Sequence, residues 1–223
     1  SDLSTTLMIG DPVGAIISAN NVITLNTWQH VCAVRSGSTI SLYVNGTRVA
    51  TGTNSSNFTD TGAKIGSSGP SGGNNAVGYI SNVRLVKGTA VYNPSSTTIT
   101  VPTTPLTAIT NTSLLTCQSN RFIDNSANNF ALTVTGTPSV QRFSPFNPTS
   151  AYSTSVIGGS GYFDGSGDYL TTASNSAFTF GSSDFTWETW IYALPRVATW
   201  TGIFTSAITG PNSGYALAYE DNY

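Results

Sequence analysis

The sequence predicts an all-β fold, a sandwich of short antiparallel strands. Three observations carry this. Between Trp28 and Gly52 residues fall into sets that alternate with a period of two, Trp28, His30, Cys32 and Val34 against Gln29, Val31, Ala33 and Arg35, then Ile40, Leu42 and Val44 against Ser41, Tyr43 and Asn45, the period of a strand. Turn signals recur between short runs, among them Ser36-Gly37-Ser38 and Asn45-Gly46. Nowhere does the chain sustain the 3.6-residue apolar spacing of a helix, and many short, evenly spaced strands imply a sandwich or barrel.

The elements follow in order. Residues 1–92 carry strand-like runs at Leu7-Met8-Ile9, Ala15-Ile16-Ile17 and Val22-Ile23-Thr24-Leu25. Two hairpins between Trp28 and Gly52 come next, then Ala63 to Gly66 and Gly78 to Val86. Asn-Gly is the preferred pair for a two-residue hairpin turn, which closes the second hairpin at Asn45-Gly46. The glycine-rich stretch Ser67 to Asn75 reads as a surface loop, because no helix follows to make it a phosphate cradle. Residues 93–112 carry three prolines and many threonines, so they read as an extended linker or edge tether between two half-domains. Residues 113–223 are strand-rich again: Ser113 to Cys117, Phe130 to Thr135, Gly161 to Asp164, Tyr169 to Thr172, Phe185 to Ala193, Gly202 to Thr205 and Tyr215 to Tyr219. Between them, Phe143-Ser144-Pro145-Phe146-Asn147-Pro148 reads as a proline-punctuated loop with two aromatic anchors.

Composition narrows the function. At 223 residues the chain suffices for one large sandwich or two small domains. Only 8% of residues are charged, so the surface is neutral and hydrogen-bonding. A net charge of −2 with scattered basic residues offers no handle for nucleic acid or anionic lipid. No apolar run approaches the roughly 20 residues of a membrane helix, and no secretory signal opens the chain. Opening on Ser1, the chain is expected to be a fragment or a processed piece of something longer. Two cysteines, Cys32 and Cys117, make no disulfide framework; buried free thiols are expected, with a single bridge as the alternative.

Several motifs resemble a known family. Trp28-Gln29-His30-Val31, Tyr43-Val44-Asn45-Gly46 and Gly78-Tyr79-Ile80-Ser81-Asn82-Val83-Arg84 resemble the C-terminal half of a laminin-G-like domain. Gly161 to Leu170 and Asp184 to Ile191 resemble the N-terminal half, which here comes second. The resemblance implies a concanavalin-A-like antiparallel jelly roll with its halves in reversed order: 1–92, the linker 93–112, and 113–223. Joining Tyr223 to Ser1 would restore the ordinary order. The halves could pair within this chain, belong to two successive repeats, or be completed by neighbouring chains.

Catalysis fits poorly. Glucanases of this fold class carry an E-x-D-x-x-E strand, which is absent. Asp184 and Glu188, the best local carboxylate pair, lie about 13 Å apart along a strand, too far for glycoside hydrolysis. His30, the only histidine, falls in the structural W-x-H-V strand, so a Ser–His hydrolase is not expected. Sugar binding is more plausible. Glu188, Trp190 and Tyr192 share one face of their strand, opposite Phe185, Trp187 and Ile191, and would offer aromatic faces and a carboxylate to a glycan. Calcium is the candidate cofactor, since relatives bind it at a sandwich rim. Asp164, Asp168 and Asp184 lie in or beside turns and could supply oxygen ligands, unless they serve only as Asx turns. Asn45, Asn54, Asn57 and Asn111 head formal glycosylation sequons.

The phrase from Leu114 to Phe146 most resembles laminin-G-like repeats of marine phage (cyanophage) virion proteins. That resemblance implies a non-enzymatic structural or adhesive module of a virion fibre, at the virion surface or otherwise extracellular. Its partners would be copies of itself or adjacent repeats, with a host-surface glycan as a further candidate. A subunit of a microbial extracellular filament and a secreted lectin are the alternatives.

Overall fold

The computed structural model describes residues 4–11, 14–68, 74–146, 159–195, 200–206 and 215–222. Its strands are β1 (Ser4–Asp11), β2 (Gly14–Ala19), β3 (Trp28–Ser36), β4 (Thr39–Val44), β5 (Thr47–Thr53), β6 (Lys64–Ile65), β7 (Val77–Lys87) and β8 (Thr112–Thr116). They continue with β9 (Leu132–Thr135), β10 (Ser139–Gln141), β11 (Ser160–Asp164), β12 (Tyr169–Thr172), β13 (Phe185–Ala193), β14 (Thr201–Thr205) and β15 (Ala216–Asn222). A single 3-10 turn at Ser176–Phe178 is the helical content among the described residues.

Two antiparallel sheets result. Sheet one runs β2-β1-β15-β14-β6-β12-β9, and sheet two runs β10-β11-β7-β13-β3-β4-β5. Strand β8 pairs with β7 beside β11, separated from it by a bulge at Asn82. Both sheets combine strands from before and after residues 93–112, so the two segments pair with each other within one chain. The first and last described strands, β1 and β15, are neighbours from Ser4↔Asn222 to Gly10↔Ala216. The core between the sheets holds Leu7 and Ile9 of β1, Leu42 of β4, Phe163 of β11, Phe185 and Trp187 of β13, Phe204 of β14 and Tyr215. The all-β sandwich is therefore as the alternation predicts.

Most strands fall where expected. At the turn between β4 and β5, Asn45 (φ 48°) and Gly46 (φ 81°) both have left-handed backbones, as a tight hairpin turn of this kind needs. Two elements differ. Val22 to Leu25 is a strand-like run but forms no strand; it crosses from sheet one to sheet two, held by Val22 N–H donating to Thr5 O and Thr24 N–H donating to Gln29 Oε1. Strand β10, too short and polar to show periodicity, adds an unexpected edge to sheet two.

Residues 93–112 are not a free spacer. With Thr89 to Tyr92 they form a strap across the outer face of sheet two. Val91 N–H donates to Thr186 Oγ1 (2.8 Å), Ser41 Oγ to Pro94 O (2.7 Å) and the Tyr43 hydroxyl to Ser96 O (2.8 Å). Ile99 N–H donates to Gly46 O (2.8 Å), so the turn glycine is also where the strap lands. Leu106 N–H donates to Asn82 Oδ1 (2.8 Å) at the bulge. Proline keeps the strap out of the sheets, while its carbonyls accept from sheet side chains.

Candidate functional site

Strand β13 is central in sheet two, flanked by β7 and β3. Its outward residues therefore meet side chains from both neighbours. Glu188 lies opposite Cys32 on β3 and Arg84 on β7, and its side chain is fully buried. Arg84 donates to Glu188 Oε1 from Nε (3.0 Å) and Nη2 (2.6 Å), a two-bond, charge-assisted pairing. The Tyr92 hydroxyl of the strap donates to Oε2 (2.9 Å), and His30 Nε2 lies 3.3 Å from the same oxygen. Arg84 also reaches the strap, donating from Nη1 to Thr107 O (2.9 Å). The outer face of the sheet thus carries a buried polar network under a roof, in which His30 Nδ1 has no hydrogen-bond partner.

Its electrostatics follow from this geometry. Burial alone would raise the Glu188 pKa, but the hydrogen bond from His30 and the charge and hydrogen bonds of Arg84 outweigh it and hold it below the ordinary carboxylate value. Tyr92 is pushed up, by burial first and by the Glu188 charge second. Cys32 lies close by with its thiol held well above its ordinary pKa, again by burial first and Glu188 second. These are the signatures of a carboxylate kept charged by the fold, not of an acid poised to exchange protons.

Apolar cover surrounds the network. Cys32, Val34 and Tyr43 pack with Tyr92 and Ile99 of the strap. Trp190 packs with Leu106 and Leu115, joined by Trp28, Val101 and Phe146, and its ring lies 4.5 Å from His30. Beside this lies a cluster of partly exposed rings. Tyr79 contacts Trp28, Phe143, Tyr162 and Tyr192 at centroid distances of 4.9–6.3 Å.

The structure places Glu188, Trp190 and Tyr192 on one face, as alternation requires, but does not open that face. Both oxygens of Glu188 are engaged and Trp190 is 6% exposed. Only Tyr192 reaches the surface, and Phe143 packs against it at 4.9 Å. Sequence reasoning missed Arg84 and Tyr92 because local spacing cannot report partners that lie 104 and 96 residues from Glu188.

The three aspartates proposed as calcium ligands do not converge. Asp164 pairs with Val77 at the start of β7, whereas the carbonyl of Asp184 accepts from Gly88 just past its end. The 11 residues of β7 separate them by roughly 30 Å. Asp164 Oδ1 accepts from Ser166 N–H (2.7 Å), an Asx turn. Asp168 is buried and accepts from Thr137 N–H (2.6 Å) and Asp164 N–H (3.1 Å). Asp184 accepts from Gly37 N–H (2.7 Å) and Ser36 Oγ (3.0 Å) at the opposite end of the sandwich. Turn chemistry marks each aspartate as a turn residue, but not which end of the sandwich its turn occupies. Among the described residues no three His, Cys, Asp or Glu side chains gather as a metal site.

Cys32 and Cys117 are buried free thiols. Cys117 is pushed up to about 12 by burial. A further buried carboxylate escaped sequence reading. Asp124 ties down the loop after β8, accepting from the backbone amides of Leu115 (3.1 Å), Ser126 (2.8 Å) and Phe130 (2.9 Å) and from Ser126 Oγ (2.8 Å).

Residues 3–91 match the model of the concanavalin A-like lectin/glucanases superfamily. That stretch supplies β1 to β7 and the first residues of the strap. The match agrees with the sandwich architecture and with the resemblance of the W-x-H-V and G-x-I-x-x-V-R strands. Comparison with curated proteins and with solved structures gives no match.

Proposed function

We propose that this chain is a non-enzymatic structural module of an extracellular, repetitive fibre, placed on a virion surface by the resemblance of its Leu114 to Phe146 phrase. The observation that carries this reading is that the groups a catalytic or metal site would need are engaged inside the fold. Glu188 is held by Arg84, His30 and Tyr92, Asp168 by two backbone amides, and Asp184 by Gly37 and Ser36. The pairing of β1 with β15 supports reading 1–92 and 113–223 as two halves of one sandwich in reversed order. Partners in this reading are copies of the chain or adjacent repeats. The charge-poor surface speaks against nucleic acid as a partner. Among the described residues no helix is long and apolar enough to cross a membrane. Any contact with a host-surface glycan falls on Tyr192 and its aromatic neighbours, because Glu188 and Trp190 are covered.

Light scattering after size-exclusion chromatography tests this reading. The expected result is the mass of a single folded chain, with no binding to an array of neutral oligosaccharides. Open-ended oligomers would replace it with the filament reading, in which neighbouring chains complete each other's sandwich. A saturable oligosaccharide isotherm lost in Tyr192→Ala would replace it with a secreted lectin.

A further inference from the structure

Residues 142–146, which follow β10, fold over sheet two and seat two phenylalanines three residues apart. Phe143 enters a seat walled by Trp28, Tyr79 and Tyr192, with ring centroids 5.2, 4.9 and 4.9 Å away. It meets both tyrosines edge-on, at 69° and 82°, an arrangement aromatic quadrupoles favour. Phe146 meets Trp190 edge-on at 4.8 Å in a second seat completed by Leu106 and Leu115. The seats adjoin because Trp190 and Tyr192 stand two apart on one face of β13.

The backbone between the rings is preset. Ser144 Oγ accepts from Phe146 N–H (3.2 Å), Ser160 Oγ donates to Phe143 O (2.6 Å), and Pro145 has its φ fixed by its ring. Hook and seats are nevertheless separable. The walls stand on β3, β7, β8 and β13 and on the strap, all held by their own hydrogen bonds. Phe143 is 42% exposed, and neither phenylalanine belongs to the core between the sheets.

We propose that these two seats form an interaction surface for the Phe-Ser-Pro-Phe hook of a second copy of this chain, so that copies join by exchanging hooks. The hook seated in cis is itself the measure of fit: two rings at one fixed spacing fill two adjoining aromatic seats. Such a surface selects a short aromatic peptide rather than a broad protein face. Within one chain the hook competes at an effective concentration of order millimolar. Exchange therefore becomes visible when the cis hook is removed, or when copies are crowded as in an array. The inference goes beyond the module reading, which stands or falls on the mass of the intact chain.

The test uses the full chain carrying Phe143→Ala and Phe146→Ala, with folding checked by circular dichroism. A synthetic peptide of residues 141–146 is titrated while the fluorescence of the seat tryptophans is followed. Saturable binding to the variant is expected, at least tenfold weaker binding to the intact chain, and none by a peptide with both phenylalanines replaced by alanine. In a second measurement this variant is mixed with a chain whose first seat is emptied by Tyr79→Ala and Tyr192→Ala. A 1:1 complex is expected by light scattering, with each chain monomeric alone. A folded hookless variant that binds neither peptide nor partner chain overturns the proposal. So does equal binding of the native and alanine peptides, and so does a vacated seat that takes only a neutral oligosaccharide.

Discussion

Replacing Glu188 by glutamine keeps the volume of the side chain and removes its charge. In the native fold Arg84 gives Glu188 Oε1 two bonds, and its other described bond is to Thr107 O. The variant therefore leaves a guanidinium beneath the strap with one carbonyl and an amide that can satisfy only part of its donors. Breaking a buried ion pair by removing one partner costs about 3–5 kcal/mol, which at roughly 2–4 °C per kcal/mol for a chain of this size lowers the melting temperature by roughly 6–20 °C. Urea and thermal unfolding at neutral pH measure this. Pairing Glu188→Gln with Arg84→Met recovers part of the loss, because the unpaired cation is gone, and the double-mutant cycle reads the coupling directly. The pH dependence has a definite sign. The folded Glu188 pKa is depressed, so its contribution is complete above the ordinary carboxylate range and is lost as pH falls through the folded value. The glutamine variant should lack that part of the acid limb. A loss below about 0.5 kcal/mol, typical of an exposed pair, or an unchanged acid limb, would refute the buried-pair argument.

Four further outcomes follow from the same structure. Asp124→Ala orphans three backbone amides and a hydroxyl, and should cost more than about 3 kcal/mol, with Asp124→Asn losing less; chemical denaturation decides. Gly78→Ala should cost more than about 3 kcal/mol or prevent folding, because φ is +127° and the added Cβ would meet Tyr192 O at 2.1 Å; soluble yield and melting temperature report it. Both cysteines should resist iodoacetamide at pH 8 in the native state and react on unfolding, as read by mass spectrometry, because burial holds their thiols protonated. Calcium and a chelator should give the same melting temperature, since Asp164 and Asp184 stand at opposite ends of β7.

Much of the fold was legible because it is written in local chemistry. The hairpins from Trp28 to Thr53 carry their own alternation and their own Asn-Gly turn, and β7, β11, β12 and β13 are set by runs whose turns flank them. What was not legible depends on which sheet a run joins. Val22 to Leu25 has the residue types of a strand, yet it spans the gap between sheets, where its apolar side chains pack on the core without a strand ladder. Prolines keep the strap outside the named strands up to Thr112, which opens β8, but such exclusion does not say which surface an extended segment covers. The aspartates were read correctly as turn residues, and their separation is a property of the topology.

The misread site residues hold the more useful lesson. Strand β13, Phe-Thr-Trp-Glu-Thr-Trp-Ile-Tyr-Ala, carries large aromatic residues on both faces, which suits a strand covered on both sides, and it is buried along almost all its length. A lone carboxylate in such a run has to be neutralised or paired, because an isolated buried charge is too costly to keep. In this chain the search for its partner is short, with 8 Lys and Arg in all. Arg35, Arg84 and Lys87 lie on the strands that flank β13, and of these three Arg84 stands in register with Glu188. Arg84 ends the Gly-Tyr-Ile-Ser-Asn-Val-Arg motif of the strand beside β13, where Glu188 meets it. In a charge-poor sandwich, then, a carboxylate between tryptophans marks a covered face and a buried cation before it marks a sugar site.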